Sequence, residues 1–107
     1  MADVLELELT DQSENELGAH QLSLRDAIEV LDEDDYRTFP DPTHAPRRYM
    51  IGRTRSGRLL TLIIEAIDDS GRCLLITGWS SSQAEITLYS RSGGSKYAGR
   101  PANPSDR

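Results

Sequence analysis

The chain has 107 residues, 36% hydrophobic and 28% charged, with one cysteine and a formal net charge of −6. That length suits one domain, which buries roughly two-thirds of its unfolded surface, and the lone Cys73 excludes an internal disulfide. The longest apolar run, Leu59 to Ile64 broken by Thr61, is too short to span a bilayer; the N-terminus carries acid where a signal peptide carries base, so a cytoplasmic protein with no membrane segment is expected.

Val4 to Leu9 alternates apolar and acidic residues and predicts a first strand with Leu5, Leu7 and Leu9 on one face. Thr10 or Asp11 caps a short helix running towards His20. Ser23-Leu24-Arg25-Asp26 resembles a capping box. The helix it opens carries Leu24, Ala27, Ile28 and Leu31 at i, i+3, i+4 and i+7, an apolar stripe aimed at a sheet. The acidic cluster Asp32-Glu33-Asp34-Asp35 ends that helix and reads as a solvated end, although acid is electrostatically poor there. Phe39 to Pro46, with three prolines, predicts an irregular connection in which His44 is solvated.

Strands are expected over 47–54 and 58–65, joined by Arg55-Ser56-Gly57 with Gly57 at a positive φ. After the turn at Asp68 to Gly71, Arg72 to Trp79 predicts a third strand whose unbroken apolar centre suits burial on both faces, with Cys73 a small buried hydrophobe. Ser82-Gln83-Ala84-Glu85 is a capping box for a last helix. The domain is expected over residues 1–90. Residues 91–107, rich in Gly, Pro and Ser from Gly93 onward, are expected to be a disordered tail. The order predicts an α+β domain: a small antiparallel meander sheet covered by helices.

Charge divides along the chain. Residues 1–42 hold thirteen acids and two bases, residues 43–107 five acids and ten bases. No acid occurs from Thr43 to Ile64, and five arginines fall between Arg47 and Arg58. On a rigid hairpin, guanidinium groups suit a phosphate-rich partner, because the planar fork pairs with phosphate oxygens in fixed geometry. A zinc site would have to combine Cys73, His20 and His44 without any close ligand pair, so neither metal nor cofactor is expected.

Three patches carry a family resemblance. His20-Gln21-Leu22-Ser23-Leu24-Arg25-Asp26-Ala27-Ile28-Glu29-Val30-Leu31 is followed by Arg48-Tyr49, Ile51-Gly52-Arg53-Thr54 and Gly57-Arg58-Leu59-Leu60. The third patch is Ile76-Thr77-Gly78-Trp79 with Glu85 and Leu88-Tyr89. In this order they resemble the BrnT family of toxins from bacterial type II toxin–antitoxin pairs, with Gln21 standing in place of the family's glycine. The resemblance covers roughly residues 14–90. It implies a RelE-like fold, metal-independent RNA cleavage that inhibits translation, and a cognate antitoxin as protein partner, in a toxin–antitoxin hetero-oligomer or as a homodimer.

Such cleavage needs a base for the 2′-hydroxyl, cations for the phosphorane charge and an acid for the leaving oxygen. The resemblance implies Arg53 and Arg58 as phosphate clamps, with His20 and Tyr89 as proton-transfer groups. Arg47, Arg48, Arg55 and Trp79 would bind RNA. Each also has a structural reading: His20 as a helix end, Tyr89 as core, Trp79 as a filler, the arginines as a solvated face. The chain departs from the family at Trp79 (usually arginine), at Ala19 (commonly lysine) and at Gln83 and Ala84, where bases are usual. Those departures motivate a second reading, a degenerate module that binds protein or RNA without cleaving it. Three or more cations in a cleft beside Trp79 would favour the enzyme; one or none would favour the binding module.

Overall fold

Hydroxyl caps start all three helices. In the computed structural model, which describes residues 4–92, Thr10, Ser23 and Ser82 each accept from the backbone N–H three residues on. A side chain at that third position reaches back to the cap N–H. These reciprocal bonds satisfy donors that a helix start otherwise leaves open. They fix α1 (Asp11–Ala19), α2 (Leu24–Glu33) and α3 (Gln83–Arg91). The strands are β1 (Glu6–Glu8), β2 (Tyr36–Pro40), β3 (Arg48–Arg53), β4 (Leu59–Ala66) and β5 (Arg72–Ser80).

The fold is α+β, as expected, with one five-stranded sheet in the order β1-β5-β4-β3-β2. β2 to β5 form the antiparallel meander, but β1 pairs parallel to β5, so the sheet is mixed. β2 was not expected at all. Phe39 and Pro40 belong to a regular edge strand, paired from Tyr36↔Gly52 to Pro40↔Arg48. Pro40 fits there because it is the strand's last residue, where a lost donor disturbs little.

One sheet face packs on α1 and α2. Leu17, Val30, Met50, Leu60, Leu62 and Ile64 are fully buried there, each contributing about 1.5–3 kcal/mol relative to exposure. Close approach depends on two glycines. A Cβ at Gly52 would sit 2.7 Å from Tyr36 Cβ, and one at Gly78 would sit 2.7 Å from Leu62 Cδ2. Two expected stripes are rotated. Leu5 is 70% exposed while Val4 and Leu7 enter the core, and Ile28 is 41% exposed while Val30 takes its place. β1 spans only three residues, so tertiary contact and not alternation chooses its inward side. α2 meets the sheet along Ala27, Val30 and the half-buried Leu24 and Leu31.

β5 is not buried on both faces. It alternates, with Cys73, Leu75 and Gly78 buried and Leu74, Ile76, Thr77 and Trp79 half-exposed. β4 is the strand sealed on both sides, from Leu60 to Ile64. The register of β4 and β5 slips between Ile63 and Ile64: Ile64 pairs with Leu75 but Ile63 with Thr77, leaving Ile76 as the extra residue. Such a bulge inverts the phase of a strand. Cys73 and Leu75 point inward at odd positions, yet Thr77 and Trp79 point to the opposite face.

Gly57 has φ 92°, as the turn requires. Gln21, at the position where the family resemblance has glycine, has φ 62°. That left-handed conformation is the one glycine adopts without steric cost. The expected tail from Gly93 to Arg107 lies outside the described residues.

Candidate functional site

The second sheet face is built in cross-strand rows, because register partners share a face. One row runs Arg37, Ile51, Thr61, Trp79; the next runs Phe39, Tyr49, Ile63, Thr77. Two residues along a strand separate the rows by about 7 Å. α3 lies across the first row. Its Glu85 Oε1 accepts from Trp79 Nε1 at 3.0 Å, Thr61 Oγ1 at 3.0 Å and Ser82 N at 2.8 Å. Its Tyr89 ring lies 4.3 Å from the Arg37 guanidinium carbon, and its hydroxyl donates to the Asp35 carbonyl at 3.1 Å.

The second row lies beyond α3 and floors a cleft of about 240 Å³, with Phe39, Tyr49 and Thr77 part-exposed and Ile63 buried. Tyr49, Ile63, Thr77 and Trp79 line it from the sheet; Asp41, Thr43, His44 and Arg47 line it from the β2–β3 connection. That connection is ordered by its own bonds. Asp41 N–H donates to the Arg47 carbonyl at 3.0 Å, and Arg47 N–H to the His44 carbonyl at 2.8 Å. The Asp41 carboxylate accepts from Thr43 N at 3.0 Å and Thr43 Oγ1 at 3.1 Å. The backbone bond from Thr43 is the main reason the Asp41 carboxyl lies below its usual range. His44 Nδ1 sits 2.9 Å from Thr43 Oγ1 and 3.4 Å from Asp41 Oδ2. A carboxylate beside Nδ1 favours the tautomer with the proton on that nitrogen, which leaves the Nε2 lone pair for a ligand. His44 is thus bonded at one ring nitrogen and, as expected, solvated, with its side chain 66% exposed.

Of the residues expected from sequence, Arg47 and Trp79 line this cleft, and His20 packs against Trp79 without lining it. His20 follows the last turn of α1, where its N–H bonds the Leu17 carbonyl at 2.9 Å. Among the described residues no carbonyl bonds its ring, which packs on Trp79 with centroids 6.0 Å apart and planes tilted 57°. Arg47 Nε lies 3.5 Å from Glu65 Oε1. Thr77 Oγ1 is buried without a partner among the described residues.

The other candidates lie elsewhere. Arg53 donates to the Gly57 carbonyl at 3.1 Å and sits 5.6 Å from the Tyr89 ring on the α3 side. Arg58 donates to Ser80 Oγ at 3.3 Å, and Ser80 is the register partner of the core-facing Leu60. The two arginines therefore do not share a hollow. Arg48 donates to Thr38 Oγ1 at 3.3 Å, and desolvation lowers its pKa. It shares its face with Met50 and Ile64, opposite the cleft. Arg55 pairs with Glu33 at 3.2 Å, and its N–H bonds Glu29 at 3.0 Å. The acid at the end of α2 thus meets a base of the same chain. Tyr89 is buried, and burial raises its pKa.

Sequence reasoning missed Asp41, Thr43 and His44. A signal existed: Asp41-Pro42-Thr43-His44 is an Asx-turn pattern, in which a carboxylate accepts from the N–H two residues on. No group of metal-ligating residues occurs among the described residues, and none of their helices is long and apolar enough to cross a membrane.

No family model matches the chain, and no curated protein matches it. Among solved structures the chain is similar to the 1.1 Å crystal structure of the Brucella abortus ribonuclease toxin BrnT. The TM-score is 0.56 at 21% identity, covering 73% of this chain and 97% of that one. The shared feature at that identity is the fold.

Proposed function

We propose that the protein is a toxin-type endoribonuclease that cleaves RNA without metal, using the cleft over Tyr49, Ile63 and Thr77. One observation carries the reading: an oriented imidazole, a guanidinium and two aromatic rings converge on an open cleft in a BrnT-like fold. His44 Nε2 is the base for the 2′-hydroxyl. Arg47 neutralises the phosphorane charge, and His20, against Trp79, is the acid for the leaving oxygen. Tyr49 and Trp79 stack bases of a single strand. Arg53, Arg58 and Tyr89, the sequence candidates for catalysis, have no part in this step. The partner is a cognate antitoxin, and translation in the cytoplasm is the process inhibited.

The second reading, binding without cleavage, is the one that the count of cations in the cleft beside Trp79 favours. Arg47 is the only guanidinium lining the cleft among the described residues, and it is already paired with Glu65. Purified protein incubated with total RNA in EDTA separates the two. Cleavage that is lost in His44→Ala and Arg47→Gln supports the nuclease. RNA binding without cleavage leaves the binding module, and no interaction with RNA removes both RNA readings. Growth arrest on expression, relieved by the neighbouring gene, tests the toxin assignment separately.

A further inference from the structure

Arg37 is the one fully buried cationic side chain among the described residues, with its side chain 0% exposed. Its Nη1 donates to Asp35 Oδ1 at 3.2 Å. Its Nε and Nη2 have no acceptor among the described residues. Those two N–H groups form the edge of a guanidinium that meets two oxygens of a phosphate side by side. Buried donors left open are costly, and the Tyr89 ring stacked on the guanidinium returns only part of that cost.

The position of Arg37 gives this deficit a direction. It stands one same-face row from the cleft floor, beside Ile51 and diagonal to Tyr49. Over Arg37 lies α3, whose only buried residue is Tyr89 and whose Leu88 is exposed. A helix so shallowly seated belongs to the part of a fold that opens at low free energy. Arg53 lies against the same ring from the exposed side. Removing Tyr89 would uncover both guanidinium groups on the sheet face that carries the cleft.

We infer that Arg37 and Arg53 form a latent phosphate-binding subsite of the cleft, masked by Tyr89 of α3 and opened when that helix tilts away to admit an RNA backbone. The inference rests on the cleft being an RNA site. In the closed state the cleft holds one guanidinium; in the open state the incoming phosphate supplies the two acceptors that Arg37 lacks. Asp35 is the carboxylate that faces Arg37, and it holds the opposite edge, leaving the Nε–Nη2 edge for the ligand.

The test uses the full chain and a short single-stranded 2′-O-methyl RNA, which cannot be cleaved, with binding followed across a salt series. Tyr89→Ala should bind about tenfold tighter than the parent, with the log–log salt slope steeper by about 0.7 for each added phosphate contact. Tyr89→Ala with Arg37→Met should return to the parental affinity and slope. No gain in Tyr89→Ala, or a gain that survives Arg37→Met, overturns the latent subsite. Arg47→Gln in the parent tests the cleft separately: parental binding that Arg47→Gln leaves unchanged removes the cleft reading whatever Tyr89 does. If Tyr89→Ala does not fold, Tyr89→Phe keeps the ring and loses only the bond to the Asp35 carbonyl. Phenylglyoxal should then modify Arg37 faster than in the parent and be blocked by RNA. An unchanged modification rate overturns the proposal.

Discussion

The two faces of the sheet solve different problems. The face under α1 and α2 is apolar and closed, with two glycines letting strand and helix backbones approach. The opposite face is polar at one end, where α3 is held by Glu85 and Tyr89, and extends beyond that helix at the other. Burial is therefore concentrated on the first face, while the second carries the cleft proposed as the site. A protein with one small core can leave half a sheet face open only because the other face is sealed.

The largest test of this division is on the closed face. Leu62→Ala, a fully buried position, should cost about 2–5 kcal/mol in urea unfolding. A loss below about 1 kcal/mol would mean the closed face is not the seat of stability. On the open face His44→Ala should lower RNA cleavage by roughly 10²–10⁴-fold while stability stays within about 0.5 kcal/mol of the parent. A drop in both would show His44 to be structural. Trp79→Ala should weaken RNA binding by about 1–3 kcal/mol, the worth of a stacked base, and free the Glu85 carboxylate that holds α3. Thr77→Val removes a buried hydroxyl that has no partner and should be neutral or raise stability by up to about 1 kcal/mol. A clear loss would reveal an unseen bond at the cleft floor.

A pH series sharpens the same contrast. Burial raises the pKa of Cys73 above 9.0 and that of Tyr89 above 10.0. The folded state holds these protons more tightly than the unfolded chain, so their contribution is complete below pH 9 and is lost as pH rises through the folded values. Unfolding free energy should fall from about pH 9 upward, and Cys73→Val should delay the start of the fall towards the range of Tyr89. An unchanged onset would show that Cys73 holds its proton no more tightly in the folded state than in the unfolded chain.

Helices and hairpin were legible because their signals are local. Ser23 and Ser82 cap where their boxes stand, Gly57 takes the turn, and the strands of the Arg47–Ile64 region form as expected. Edges and faces were not legible. β2 contains Phe39-Pro40 in a loop-like composition, and pairing with β3 alone makes it a strand. Leu5 and Ile28 satisfy periodicity but lie outside the contact their elements make. Of the candidate site residues, Arg47 and Trp79 line one cleft with His20 against Trp79, while Arg53 and Arg58 diverge because one follows the α3 face and the other reaches Ser80.

Local chemistry written in the chain determined where helices start, where the hairpin turns, that an arginine-rich ribbon is held rigid, and that the fold is α+β. The tertiary structure alone decided which side chains meet. A single extra residue at Ile76 inverts the phase of β5 and carries Trp79 out of the core onto the cleft, and the turn at Asp41 swings His44 to the same place. Register and loop closure are set by contacts between distant segments, and no local pattern encodes them.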